Sequence, residues 1–166
     1  MAWRLKMSQN IFSSILCNAT PMAAAHISGG FQYPDIEGEV KFYSVPYEGV
    51  LIEVQIFNLP QSKEHAPDFF GFHIHEVGDC SNDFKNTGNH YNPNEQPHPK
   101  HAGDLIPILS TDGYCWMCFY DNVLTLPEIL GKSVIIHSKP DDFTSQPSGN
   151  SGDKIACGVI KLCVVF

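Results

Sequence analysis

Short runs in which apolar and polar residues alternate recur along the chain, and this pattern predicts β-strands. The segment 50–57 reads VLIEVQIF, and in its second half every other residue is apolar. Because the side chains of a strand alternate between two faces, this alternation predicts a strand with one buried face. An Asp112-Gly113 pair between two apolar runs predicts a tight hairpin. We predict eight strands in all, near residues 24–31, 37–45, 50–59, 69–76, 104–109, 114–120, 133–137 and 155–162.

The many short strands, together with 13 glycines and 12 prolines, predict an all-β protein. We expect an eight-stranded β-barrel or sandwich. A chain of 166 residues fits one domain, which we place at 24–166, after an N-terminal tail at 1–23 that we expect to be mobile. Two long connections, 77–103 and 138–154, break the even spacing of the strands. Long segments without secondary structure are usually functional in a compact domain, so we expect these two to form the walls of a site.

Charge and hydropathy argue against several classes of partner. The net charge of −8 argues against nucleic acid. The chain has no run of 18 apolar residues, so we expect no membrane-spanning helix. Polar residues interrupt the apolar patches at 11–17, so we expect no secretory signal and favour a cytoplasmic over an extracytoplasmic location. The sequence does not fix the oligomeric state, and a homodimer stays open.

Histidines are concentrated in residues 71–104. His73 and His75 lie two apart in a predicted strand, so both side chains face one way and could hold one metal ion. A lone histidine is usually a surface residue or a core residue with its hydrogen bonds satisfied, but this combination is much more specific. A mixed His/Asp set suits zinc, whereas an all-imidazole set suits copper. Further candidate ligands follow in a loop rich in Pro, Asn and Gly: His90, His98, His101 and Asp104.

Five segments, in this order, resemble the signature segments of copper–zinc superoxide dismutases. They are GFHIHE at 71–76, GNHYNP at 88–93, HAGD at 101–104, IIH at 135–137 and GNSGDKIACGVI at 149–160. The resemblance extends from about residue 24 to residue 162. It implies a Greek-key β-barrel, copper and zinc as cofactors, and superoxide as the substrate.

The resemblance also implies two metal sites that share one histidine. The implied copper ligands are His73, His75, His90 and His137. The implied zinc ligands are His90, His98, His101 and Asp104. A deprotonated imidazole can bind one metal through each nitrogen, so the shared His90 would join ions roughly 6–7 Å apart. Asp141, in the second long connection, is implied to accept hydrogen bonds from His73 and His98 and so to orient both rings.

The six cysteines divide into three kinds. The resemblance implies one disulfide, between Cys80 and Cys157. Cys115 and Cys118 form a C-x-x-C pair, but on a strand positions i and i+3 face opposite sides, so we reject a zinc or redox pair there and expect buried free thiols. Cys17 and Cys163 are also interpreted as free thiols.

Lys154 stands where the family normally has arginine, at the mouth of the copper site. Lysine keeps the positive charge that would attract superoxide but lacks the planar two-pronged donor geometry, so we expect reduced activity. The implied reaction is dismutation of superoxide to oxygen and hydrogen peroxide. In it copper cycles between two oxidation states, zinc holds and tunes His90, and His90 relays a proton.

Two alternatives stay open. One is a dismutase-like protein that binds copper and zinc with little turnover, because Lys154 replaces the usual arginine. The other is a copper-only dismutase, against which the retained His98, His101 and Asp104 argue.

Overall fold

The computed structural model describes residues 11–63 and 65–163, and most of them lie in antiparallel strands and connecting loops. A helix, α1, is described from residue 11 to residue 18, and a second short helix, α2, spans Leu126–Ile129. None of the helices in these ranges is long and apolar enough to cross a membrane. The strands are β1 (Ala23–Gly29), β2 (Glu37–Ser44), β3 (Val50–Phe57), β4 (Pro67–Phe70), β5 (Phe72–His75), β6 (Ile108–Thr111), β7 (Cys115–Asp121), β8 (Ser133–His137), β9 (Lys154–Val159) and β10 (Lys161–Leu162).

The strands form a curled antiparallel sheet with the order β5-β8-β9-β1-β2-β3-β7, and β4 pairs with β6 beside it. Only Gly71 separates β4 from β5, so these two are one strand interrupted at a single residue. A hairpin joins β6 to β7, and this links the two ends of the curled sheet through β4 and β6. Only Ile160 separates β9 from β10, so this arrangement is the eight-stranded Greek-key barrel with the fourth and the last strand each divided in two, and it confirms the predicted all-β fold class.

The predicted strand boundaries are close except at the fifth strand. We predicted residues 104–109, whereas β6 begins at Ile108. Pro107 has no backbone N–H to donate to a ladder, and it delays the start of the strand. Asp104 instead forms an isolated bridge with His73. The predicted hairpin is present: Asp112 and Gly113 both have positive φ, 52° and 78°, as a tight turn of this kind requires.

The helix α1 covers part of the outer face of the barrel. Its residues Phe12, Ile15 and Leu16 pack against a cluster that contains Tyr43 and Leu51. Leu51 points away from the barrel core and is nevertheless only 2% exposed. The helix therefore explains why the first half of β3 lacks the alternation seen in its second half. Mobility of the tail at 1–23 stays a prediction from the sequence, and its residues 1–10 lie outside the described ranges.

The predicted disulfide between Cys80 and Cys157 is present, with the two Cα atoms 5.8 Å apart. It ties the first long connection to β9. Cys115 is buried in the barrel core, while Cys118 packs beside α1 on the outside, so the C-x-x-C pair does face opposite sides.

Candidate metal centre

Two neighbouring strands position three of the histidines. In β5, Phe72 and Ile74 point into the core, so His73 and His75 point to the opposite face. There the long connections cover them, and both rings are buried. β8 pairs with β5, and His137 at its end donates its backbone N–H to the carbonyl of Gly71 at 2.8 Å.

The first long connection brings a fourth histidine to this face. His90 forms an isolated bridge with His75, and the hydrogen bonds on either side of it run from Glu76 N to Asn89 O and from Tyr91 N to Ile74 O. Its backbone is thereby fixed alongside β5. Each of four buried imidazoles then offers one nitrogen, and these nitrogens all lie within 4.8 Å of one another: His73, His75, His90 and His137. We call this set the strand group.

A second set lies on the other side of the His90 ring. One ligand atom from each of its members again lies within 4.8 Å of the others: His90, His98, His101 and Asp104. We call this set the loop group. The Asp104 carboxylate is at its centre: Oδ1 lies 2.7 Å from His90 Nδ1, and Oδ2 lies 3.0 Å from His98 Nδ1 and 3.2 Å from His101 Nδ1. His90 belongs to both groups.

Asp141 links the two groups from outside. Its Oδ2 accepts a hydrogen bond from His73 Nε2 at 2.8 Å, and its Oδ1 accepts one from His98 Nε2 at 2.9 Å. The carboxylate is fully buried. A Cβ at Gly149, where φ is 67°, would lie 2.0 Å from Asp141 Oδ1 and 2.6 Å from His98 Nε2. Glycine is therefore required beside this bridge.

In four of these rings, one nitrogen donates a hydrogen bond to the protein, and this determines that the other nitrogen carries the lone pair. Because Asp141 accepts from Nε2 of His73 and of His98, the lone pair of each ring is on Nδ1. His75 and His137 donate from Nδ1 to the carbonyls of Gly88 and Gly152, at 3.0 and 3.2 Å, and keep their lone pairs on Nε2. Metal-binding histidines characteristically donate their other N–H in this way.

The nitrogens left over make no hydrogen bond within the part of the chain that the structure describes, although Asp104 Oδ2 lies near two of them, His98 Nδ1 and His101 Nδ1. Among the described residues, four buried ring nitrogens lack a hydrogen bond: His73 Nδ1, His90 Nε2, His98 Nδ1 and His101 Nδ1. In addition, Nε2 of His75 and Nε2 of His137 face each other at 3.3 Å. Converging lone pairs in a buried site are costly without a partner, and a metal ion at the centre of each group would satisfy them.

Burial keeps three histidines of the strand group neutral. It lowers the pKa of His73 and of His75 to about 2, and that of His137 to about 4. The neutral form is the one that binds metals. Burial raises the pKa of Asp104, but the hydrogen bond from His90 and the neighbouring imidazoles outweigh it, so this carboxyl remains below its usual range. The loop group therefore includes one negative charge.

A cavity of about 440 Å³ opens onto the strand group. His75, His90 and His137 lie along its wall, and Ser148 and Lys154 also line it. The Lys154 ammonium donates to Thr87 Oγ1 at 2.7 Å, to Gly88 O at 3.0 Å and to Phe84 O at 3.4 Å. Its positive charge is thus held in the wall of the cavity.

The structure brings together the histidines and both aspartates that the sequence singled out, but sequence reasoning missed two side chains that hold them. The Gln146 amide accepts from His98 N at 3.1 Å and donates to His98 O at 2.7 Å. Thr87 is fully buried against Lys154. Neither residue belongs to a motif. The carbonyls that orient His75 and His137 are backbone groups, which any residue would provide. No feature of the sequence therefore identified these contacts.

Comparison with known proteins agrees with this geometry. Residues 36–160 match the family model described as copper/zinc superoxide dismutase (SODC). The chain is 39% identical over 129 residues to Cu-Zn superoxide dismutase 1 of Aquifex aeolicus (strain VF5), covering 68% of this chain and 73% of the relative. It is 37% identical over 113 residues to Cu-Zn superoxide dismutase 3 of Arabidopsis thaliana, covering 58% and 69%. The crystal structure of the clock protein EA4 is similar as well, with a TM-score of 0.73 and 31% identity over 87% of this chain and 96% of that one.

Proposed function

Because this chain belongs to the copper/zinc superoxide dismutase family, we propose that it converts superoxide into oxygen and hydrogen peroxide. The cofactors of the family are copper and zinc. The observation that carries the proposal is the pair of converging ligand groups with one shared ring, His90. A single metal site would not need an imidazole with both nitrogens directed at ligand groups.

We assign copper to the strand group and zinc to the loop group. Four imidazole nitrogens suit the tetragonal preference of Cu(II). Three imidazoles and one carboxylate suit tetrahedral zinc, and the Asp104 charge offsets part of the charge of the ion. The four nitrogens without a hydrogen bond support this assignment, because two belong to each group.

When bound, copper supplies the one-electron redox chemistry, and zinc, which has none, fixes the shared ring. The protein contributes proton handling. Two superoxide anions and two protons give one oxygen and one hydrogen peroxide, so each cycle needs a proton source at the site. His90 lines the cavity, and its Nε2 has no hydrogen-bond partner among the described residues. This atom can hold one proton and release it to the reduced oxygen species, while the second proton enters from solvent through the cavity.

The cavity also selects for a small anion. The chain carries a net charge of −8, which repels anions at long range. The Lys154 ammonium places a positive charge in the cavity wall, and a local positive charge raises the encounter rate with an anionic substrate. His137 and Ser148 narrow the approach on the other side.

Superoxide decay after pulse radiolysis tests the proposal directly. Protein loaded with copper and zinc should remove superoxide faster than the same concentration of free copper, and His90→Ala loaded in the same way should lose that advantage. His26→Ala, which removes an exposed histidine of β1, is the matched control and should retain it. Equal rates for the wild type and His90→Ala would contradict the proposal.

A second candidate function is copper and zinc binding with little turnover. It is favoured by the Lys154 ammonium, whose three hydrogen bonds to the protein leave no donor for superoxide. Under the first proposal Lys154→Arg should raise the rate a few-fold, because a guanidinium has five donors. If the wild type and Lys154→Arg each bind one copper and one zinc per chain and yet remove superoxide no faster than free copper, the second candidate replaces the first.

A cytoplasmic location, a homodimer and the lack of a nucleic-acid partner stay predictions. The net charge of −8 supports the last of these. Gel filtration of the metal-loaded chain would test the homodimer.

A further inference from the structure

A threonine is buried in the wall of the cavity, where a polar side chain needs hydrogen bonds. Thr87 lies at the end of the short 3-10 turn Lys85–Thr87 and has no exposed surface. Its hydroxyl donates to the Phe84 carbonyl at 2.8 Å, which leaves its lone pairs for another donor. That donor is the Lys154 ammonium, 2.7 Å away.

The acceptors that bind the Lys154 ammonium all lie in one segment, residues 84–88. An ammonium has three N–H donors, and the structure provides three acceptors, which are Thr87 Oγ1, Gly88 O and Phe84 O. Two of the three are backbone carbonyls, which any sequence would offer. The threonine hydroxyl is the shortest of the three contacts, and among the described residues it is the one side-chain group bonded to this ammonium.

The same segment carries a contact to the strand group. The Gly88 carbonyl accepts from Lys154 Nζ at 3.0 Å and also from His75 Nδ1 at 3.0 Å. The ammonium is therefore held beside the carbonyl that orients a predicted copper ligand, at the edge of the cavity that both side chains line. A small displacement of the ammonium would change the field at the place where an anion enters.

We propose that Thr87 is a positioning residue for Lys154: its hydroxyl fixes the ammonium in the cavity wall and thereby sets the affinity of the cavity for small anions. The inference deepens the proposed function and rests on it for the class of ligand, an anion directed to the strand group. Thr87 acts through Lys154 and does not itself touch the substrate.

Azide, a small anion that can bind copper, is a suitable probe. In protein loaded with copper and zinc, azide binding can be followed by visible absorption. Thr87→Val, which keeps the shape but removes the hydroxyl, should weaken azide binding about three- to tenfold, less than the full worth of a charge-assisted hydrogen bond because the ammonium keeps its two carbonyl acceptors. Thr87→Ser retains the hydroxyl and should restore wild-type affinity to within about twofold. Equal weakening by Ser and Val would overturn the proposal, because it would show that the hydroxyl is not what matters.

A double-mutant cycle separates positioning of Lys154 from a general effect on the segment. In a Lys154→Met background there is no ammonium to position, so adding Thr87→Val should change azide affinity by less than about twofold. The same three- to tenfold loss in this background would contradict the proposal, because the threonine would then be acting on the segment alone.

A measurement on the metal-free chain keeps the inference separate from the copper assignment. The ¹H–¹⁵N signal of the Lys154 ammonium should be protected from exchange with water in the wild type and in Thr87→Ser, and should be lost or broadened in Thr87→Val. Amide spectra of the three proteins would show that each is folded. If azide causes no change in visible absorption even with the copper-loaded wild type, the copper assignment fails. The ammonium signal would still show whether Thr87 and Lys154 interact. An unchanged ammonium signal in Thr87→Val overturns that interaction.

Discussion

The strand group and the loop group hold buried imidazoles of the same chemistry, but they are built differently. His73, His75 and His137 lie on β5 and β8, whose backbones are fixed by the hydrogen bonds of a sheet. His98 and His101 lie in a long connection without regular structure. Their positions depend on side-chain hydrogen bonds from elsewhere in the chain.

The comparison leads to different expectations for the metal-free protein. The ladder between β5 and β8 exists whether or not an ion is bound, so the strand group is formed in advance. In the loop group, His90 and Asp104 are bridged to β5, but His98 depends on the contacts of Asp141 with its ring and of Gln146 with its backbone. Zinc binding must therefore supply part of the order in its own site, and zinc affinity should be the more sensitive of the two to changes outside the ligands.

The largest expected effect comes from the residue that both groups share. His90→Ala should remove one ligand from each group, so both copper and zinc affinity should fall and superoxide removal should drop to that of free copper. Metal content after dialysis, measured beside the His26→Ala control, checks this. Loss of one metal with full retention of the other would show that the ring serves only one group.

The pH dependence of the metal-free protein should identify the strand group. Three of its histidines, His73, His75 and His137, have a pKa of 6.5 when unfolded and about 2 to 4 when folded. Between these values the unfolded chain binds more protons than the folded one, so stability is present above pH 6.5 and is lost as the pH falls below it. The loss should approach about 1.4 kcal/mol per histidine and pH unit.

Urea unfolding of the metal-free chain at pH 7, 6 and 5 checks the sign and slope. His75→Gln removes one of these groups and should make the dependence shallower. A stability that does not change over this range would contradict burial of neutral rings.

The Asp141 bridge should matter more to zinc than to copper. Asp141→Asn offers one acceptor where the carboxylate offers two, and an amide N–H would face one of the ring N–H groups. Changes of this kind to the group that orients a ligand typically cost 10- to 100-fold in metal affinity, and we expect this for zinc because His98 has less backbone support than His73. Competition with a chelator measures both metals. Asp142→Asn is the control, because the Asp142 carboxylate accepts its hydrogen bonds from Thr144 and Ser145 among the described residues.

An equal loss for copper and zinc in Asp141→Asn would remove the basis for distinguishing the two groups. A greater loss for copper would reverse the comparison.

Gln146 gives the smallest and most selective effect. Gln146→Ala removes both hydrogen bonds to the His98 backbone and leaves every ligand in place, so zinc affinity should fall about three- to tenfold while copper affinity changes less. The exposed Gln61→Ala serves as a control that makes no contact with the ligands. No change in zinc affinity would show that the bridge from Asp141 alone fixes His98.

The sequence could predict two members of the strand group from local information. His73 and His75 share a face by strand geometry, in a strand that was predicted near residues 69–76. The fold class followed from the number of short strands and turn residues. His137 and Asp141 could be placed only through resemblance, because no spacing along the chain relates them to His73.

What the sequence did not reveal depends on contacts between distant segments. Gln146 meets His98 across 48 residues, and Thr87 meets Lys154 across 67. Asp104, which we predicted in the fifth strand, forms a bridge with His73 instead. The buried Leu51 looked like an irregularity in the alternation until α1 was seen to cover it. Each of these is a tertiary effect that overrides a local pattern.

Anomalous diffraction from crystals of the metal-loaded protein, recorded at the copper and zinc absorption edges, tests the central claim most directly. We predict one copper peak among the nitrogens of His73, His75 and His137, one zinc peak beside Asp104, and the His90 ring between them. A single peak, or zinc in the strand group with copper beside Asp104, would contradict the account.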